Sequence, residues 1–202
     1  MANVFAPFGF QQRSGTGASP TYEQVVGITN YNTANIFFGD PVFRLAADGT
    51  IAGITTGPGP GTTALAGVFV GCKYPSVAQK RTTWSNYWPG SDVAAANNVE
   101  VYVINDPAAQ FLAQVGTSTV TGVTAAQIGL NCQFAYGTGN TANGISGAYI
   151  DISVAPAVTA TFPFRIIGLV TSPPGAPGTQ AGANNYVVVA FNNVETRVTL
   201  AT

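Results

Sequence analysis

Hydrophobic positions along this chain come in short runs that are rich in β-branched residues and are separated by Gly, Pro and Asn. The run 66–73 alternates like a half-buried strand, with Val68, Val70 and Cys72 on one face and Phe69 on the other. Short runs bounded by turn residues predict β-strands. The predicted strands are 25–28, 35–38, 42–45, 51–54, 66–73, 99–104, 117–124, 130–136, 148–154, 161–170 and 186–192.

Helical patterns are scarce and short. Asp106 followed by Pro107 has the pattern of a helix start, which predicts one or two helical turns over 106–112, and 124–128 predicts a further turn. Helices of this length are not stable alone. About ten short strands between turns predict an all-β sandwich or barrel, jelly-roll-like, with little helix.

The first residues differ in pattern from the remainder. Residues 11–20 have the composition of a linker and no periodicity, which predicts an extended N-terminal arm over 1–24 and a single β domain over 25–202. Phe5, Phe8 and Phe10 precede the linker, and exposed aromatic side chains on an arm are unfavourable. They either fold back onto their own domain or anchor into a neighbouring subunit. If they anchor in a neighbour, the domain should stay folded without the arm.

Charge is unusually sparse. Seven basic and eight acidic residues make up 7% of the 202 residues, against roughly 25% in ordinary soluble domains. A net charge of -1 argues against nucleic acid or an anionic membrane as a partner. The polar surface must consist largely of uncharged residues such as the 24 Thr and 15 Asn. Such a surface suits either an extracellular β-protein or a subunit packed inside an assembly.

Candidate chemistry is also sparse. Histidine is absent, which removes the commonest general base and metal ligand, and no two acidic residues lie within four positions of each other. These features predict a non-enzymatic protein without catalytic residues, metal or cofactor. Cys72 and Cys132 are either one disulfide or two buried thiols, and the strand context favours buried thiols.

One segment, 73–89, concentrates aromatic and basic residues, including both tryptophans of the chain. Trp, Tyr and Arg dominate protein interfaces. The segment is either a loop whose aromatic rings plug the end of the barrel, a protein-docking surface, or a glycan platform built on its last three aromatic residues. The candidate docking residues in it are Lys80, Arg81, Trp84, Tyr87 and Trp88.

Eight motifs follow one another in a recognisable order across nearly the whole chain. They are 6–10 (APFGF), 39–45 (GDPVFRL), 66–71 (AGVFVG), 101–107 (VYVINDP), 126–131 (AQIGLN), 139–147 (GNTANGISG), 164–170 (FRIIGLV) and 187–193 (VVVAFNN). In this order the chain resembles the small β-rich decoration, or cement, proteins of tailed bacteriophages. It departs from them in its low charge, in the Gly/Pro-rich loops at 57–61 and 173–178, and in the aromatic segment 73–88.

The resemblance implies a virion protein made in the host cytoplasm that sits on the outer face of the icosahedral capsid. It implies two partners, the major capsid protein and further copies of the chain in a dimer or trimer. Phe5, Phe8 and Phe10 would then be one contact with the shell, and Arg81, Trp84 and Trp88 a second.

Overall fold

A computed structural model describes residues 3–15, 23–26, 34–53, 60–61, 63–94, 99–116 and 121–197. Within these residues the regular structure is strand, apart from one short 3-10 helix, η1, and no helix is long and apolar enough to cross a membrane. The elements are β1 (Gln11–Ser14), β2 (Glu23–Val26), β3 (Pro41–Arg44), β4 (Ile51–Ala52), β5 (Leu65–Ser76), β6 (Arg81–Ser85), β7 (Glu100–Ile104), β8 (Gln110–Gly116), η1 (Ala125–Gln127), β9 (Asn131–Asn140), β10 (Ile145–Asp151), β11 (Phe164–Leu169) and β12 (Tyr186–Phe191).

Five strands of the first sheet pair in a closed ring. The circuit runs from β8 to β10, β9, β11 and β12 and returns to β8. The β8–β10 contact is parallel and the other four are antiparallel. β1 joins the same sheet by pairing with β8. The second sheet has the order β2-β7-β5-β3-β4, with β6 paired to β5. These two sheets confirm the prediction of an all-β, sandwich- or barrel-like fold.

Phenylalanine side chains fill the interior of the ring. Phe111, Ala113 and Val115 alternate along β8 and are all buried, as expected for the inward positions of a strand. The ring of Phe164 packs edge to face with those of Phe111 and Phe134, with centroids 6.3 and 5.9 Å apart. Side chains alone can fill a ring of so few strands, so the core is continuous.

A bulge in β5 decides which side chains of the second sheet are buried. Phe69 pairs with Val103, but the next pair is Gly71 with Tyr102, which leaves Val70 as an extra residue. Side chains alternate along β7, so the face that carries Ile104 into the core of the ring continues to Tyr102, which is only half-buried, and the bulge places Gly71 of β5 opposite Tyr102. The opposite face of this sheet forms a second core with residues of the connecting segments.

Residues 37–40 tie the two sheets together. The Asp40 side chain is buried, and it accepts hydrogen bonds from the Phe37 N–H at 2.7 Å and from the Ser146 hydroxyl at 2.5 Å. The Gly39 N–H donates to the Phe69 carbonyl, while the Phe69 N–H donates to the Asp40 carbonyl. Burial of the carboxyl raises the pKa of Asp40 to about 6. One segment thus links β5 of the second sheet with β10 of the ring.

The predicted helix over 106–112 is wrong. Only a turn follows Asp106, whose carboxylate accepts from the Ala108 N–H, and β8 begins at Gln110. Pairing with both β1 and β12 makes this segment a strand despite its helix-favouring residues. The turn predicted over 124–128 is confirmed as η1.

Most predicted strands are present with shifted ends. The stretch 35–38 forms only isolated bridges at Ile36 and Phe38. Of 117–124, residues 117–120 lie outside the described residues and 121–124 are not a strand. β1, β6 and β8 were not predicted as strands.

The predicted separation of residues 1–24 from the domain does not hold for the part that the structure describes. The Phe10 N–H donates to the Gly39 carbonyl and the Gly9 N–H to the Ala148 carbonyl. The Ala6 N–H donates to the Gln114 side chain, which in turn donates to the Val4 carbonyl. Residues 3–15 therefore pack along the ring of their own chain. Residues 16–22 of the predicted arm lie outside the described residues.

Candidate docking surface

The β5–β6 hairpin carries an exposed tryptophan on its outer face. Trp84 of β6 is directly opposite Lys73 of β5, and Lys73 is opposite Glu100 of β7. Directly paired residues lie on the same face of a sheet, so these three side chains form a row across the three strands. Trp84 is 62% exposed.

The indole of Trp84 is held in place by the residues beneath and beside it. It passes over Gly71, where a Cβ would come within 3.1 Å of indole Cζ3, so the absence of a side chain makes room for the ring. It stacks on Tyr102 with ring centroids 4.6 Å apart and an interplanar angle of 18°. Because one ring face lies against Tyr102 and most of the side chain is exposed, the other ring face is open to a partner. We call Trp84, Tyr102, Lys73 and Glu100 the Trp84 platform.

The charges of the platform pair with each other. Lys73 Nζ lies 3.5 Å from Glu100 Oε2, and the Tyr102 hydroxyl donates to the same carboxylate oxygen at 3.3 Å. Burial and the neighbouring Glu100 carboxylate raise the pKa of Tyr102. An exposed ion pair of this kind contributes little to stability. The platform therefore presents an aromatic face bordered by charges that already neutralise one another.

Trp88 is not part of the platform, which corrects its prediction as a docking or glycan-stacking residue. It is fully buried in the second core, where its ring meets Tyr74 edge to face at 5.1 Å. Its backbone pairs with Ile36 on both sides of an isolated bridge. Trp88 therefore fills the second core beside the second sheet, and it is not a plug at the end of the ring.

Tyr87 does not stack beside Trp84 either. It is half-buried, and its ring stacks on Phe37 with centroids 5.7 Å apart. The predicted glycan platform of Trp84, Tyr87 and Trp88 is thus not assembled as one surface. The actual ring neighbour of Trp84 is Tyr102, which lies outside segment 73–89 and was not among the predicted docking residues.

The two basic candidates lie at the tip of the hairpin. Lys80 occupies the turn with φ of 55° and is exposed, and Arg81 is the first residue of β6. Arg81 Nε donates to the Gln79 side chain at 3.1 Å. Because side chains alternate along a strand, Arg81 points to the face opposite Trp84. A partner would have to wrap the hairpin tip to contact both.

The three N-terminal phenylalanines contact their own chain to different degrees. Phe10 is buried in the ring core and stacks on Phe164 at 4.4 Å, so it is not available as an anchor. Phe8 is half-buried against Tyr186. Phe5 is 48% exposed, with its edge against Tyr149 at 5.3 Å. Of the three, Phe5 retains the most surface for a partner.

The cysteines are free thiols in separate cores. Cys72 lies in the second core and Cys132 in the ring, and both are fully buried. Burial raises the pKa of Cys72 to about 12 and also raises the pKa of Cys132. The prediction of two buried thiols is confirmed. Within the described residues no three His, Cys, Asp or Glu side chains cluster as metal ligands.

Comparison with known proteins found no matching protein family, no similar curated protein and no similar solved structure.

Proposed function

We propose that this chain is a non-enzymatic virion protein that binds the outer face of an icosahedral phage capsid and cements neighbouring major capsid subunits. The order of the eight sequence motifs supports the proposal, together with a surface made with only 15 charged residues. The structural observation on which it depends is the exposed, pre-positioned indole of Trp84.

An exposed tryptophan already fixed against a tyrosine suits a protein interface. Its side chain loses little conformational freedom on binding, and large rigid aromatic residues are the most frequent energetic centres of interfaces. Thr82, which lies on the same face of β6 as Trp84, is uncharged, so covering it requires no loss of ionic hydration. Phe5 and the hairpin tip with Lys80 and Arg81 would add peripheral contacts.

Cementing follows from preferential binding. A protein that binds only the mature arrangement of a shell stabilises that arrangement by mass action. A stable contact needs roughly 1,200–2,000 Å² of total interface. Copies of the chain that also contact each other would add further interface. We therefore propose homo-oligomers, whose mass light scattering on the purified chain can measure.

The test is co-sedimentation of the purified chain with mature shells that lack it, and with precursor shells. Wild type should bind mature shells only. Trp84→Ala should bind about 30-fold more weakly, as expected for an energetic centre worth about 2 kcal/mol. Val158→Ala is the matched control, since Val158 is an apolar residue that is 85% exposed outside the platform. Equal binding of the Trp84 variant and wild type, or binding to neither shell, would refute the proposal.

A glycan-binding β-sandwich is the second candidate, because an open indole face also suits a sugar ring. The stacked rings of Trp84 and Tyr102 would be its platform. A glycan array separates the two functions. Binding that disappears in Trp84→Ala, without any affinity for shells, would favour the glycan role.

A further inference from the structure

A second surface with different chemistry lies on the outside of the ring. An open groove of about 550 Å³ runs along β11 and the end of β12, between the turn before β8 and the loop after η1. Its lining is mostly apolar and includes Ala190, which is paired directly with Arg165 across β11 and β12. Ile128 and Ile167 line it and are 44% and 41% exposed. Apolar side chains exposed together in a groove commonly mark a binding site.

A β-bulge shapes the groove. Ile166 pairs with Val189 and Gly168 with Val188, so Ile167 is an extra residue in β11. Phe164 and Ile166 are buried, whereas Arg165 and Ile167 between them are exposed on the outer face. Because side chains alternate along β11, Ile167 lies beside Arg165 on this face.

The groove is positively charged. Arg165 and Arg197 both line it, and none of its lining residues is acidic. Arg197 Nη1 donates to the carbonyls of Phe191 and Asn192 at 3.3 and 3.1 Å, which fixes the guanidinium at the end of β12. The ion pairs within the described residues are Arg44–Glu195 and Lys73–Glu100, so neither groove arginine has an acidic partner there.

We propose that this groove docks a peptide segment of a partner protein in which a Glu or Asp lies beside aliphatic residues. Charge complementarity identifies the occupant. Arg165 and Arg197 line a groove that has no acidic side chain, and neither arginine forms an ion pair within the described residues. Guanidinium groups bind carboxylates with strong, directional hydrogen bonds. The exposed side chains of Ile128 and Ile167 would accept the neighbouring aliphatic side chains, a contact that a purely ionic ligand such as free phosphate does not make. The site is independent of the Trp84 platform and of the proposed capsid role.

The test is an NMR titration of the full ¹⁵N-labelled chain with a blocked pentapeptide, acetyl-Leu-Glu-Ile-Glu-Leu-amide. Two control peptides replace either both Glu by Gln or all three aliphatic residues by Ser. Saturable shifts should centre on the amides of Ile128, Ile167 and Phe191. Arg165→Gln should weaken binding about tenfold, as for a lost hydrogen bond between charged groups. Arg81→Gln is the matched control, an exposed arginine outside the groove.

The outcomes separate the explanations. Absence of shifts at the groove, or equal binding of the Gln peptide, would overturn the proposal. Equal binding of the Ser peptide would assign the groove to any anion, and equally strong shifts from hexanoate would assign it to free organic acids. Either result also overturns a peptide site. Because the platform is not involved, loss of shell binding in Trp84→Ala leaves this test unaffected.

Discussion

Phe10 belongs to the first, supposedly separable segment of the chain, yet the structure makes it a core residue. It is 1% exposed, stacks on Phe164 at 4.4 Å, and meets Phe111 and Phe134 edge to face at 6.5 and 6.1 Å. We therefore predict that Phe10→Ala destabilises the domain itself. Replacement of a buried phenylalanine by alanine costs about 3–5 kcal/mol of unfolding free energy.

For a domain of this size, that loss corresponds to a melting temperature lower by about 6–20 °C. Thermal unfolding followed by circular dichroism, together with urea unfolding, measures both quantities. Phe5→Ala is the control, because Phe5 is 48% exposed and should lose only about 1 kcal/mol. Deletion of residues 1–15 should destabilise at least as much as Phe10→Ala, since it also removes β1. Melting temperatures for Phe10→Ala and Phe5→Ala that agree within about 2 °C would refute the reasoning.

Two further predictions concern the buried carboxyl of Asp40 and the close contact between Gly9 and Ser146. Burial raises the pKa of Asp40 from 3.8 to about 6. Between these pH values the folded state keeps a proton that the unfolded state releases. The unfolding free energy should therefore fall by about 3 kcal/mol as the pH rises through this range. Urea unfolding between about pH 4 and 7 should show this slope in wild type and in the exposed Asp48→Asn, and a slope that survives unchanged in Asp40→Asn would contradict the assignment. Gly9 and Gly49 have φ of 74° and 73°, but a Cβ on Gly9 would lie 2.7 Å from the Ser146 Cβ whereas one on Gly49 meets nothing within 4 Å. Gly9→Ala should therefore lower the melting temperature clearly more than Gly49→Ala, whose cost is the backbone strain of about 1 kcal/mol, and equal losses would show that Gly9 is not tightly packed.

The fold class was accessible from the sequence because alternation and turn residues are local signals. The segment before β8 shows where they conflict. Asp106 and Pro107 resemble a helix start, while Phe111, Ala113 and Val115 alternate like a strand. Pairing partners on both edges of β8 settled the conflict, and those partners are β1 and the distant β12. A short stretch of sequence around β8 does not show which distant strands will pair with it.

The candidate site was accessible only in part, for the same reason. The sequence identifies Trp84 and Trp88 as equally large aromatic residues in one segment. One stands on the outer face of a strand, and the other fills a core built from residues of distant segments such as Ile36. Tyr102 reaches Trp84 only because the bulge in β5 sets the register with β7.

The position of Phe10 inside the ring also bears on how the chain is made. Translation delivers Phe10 early, but its stacking partner Phe164 comes 154 positions later (164 minus 10), and β12, which closes the circuit, later still. Contacts between such distant parts of a chain form slowly. We expect the nascent N-terminus to remain without its aromatic neighbours until most of the polypeptide has left the ribosome, a state in which apolar residues invite aggregation or chaperone binding.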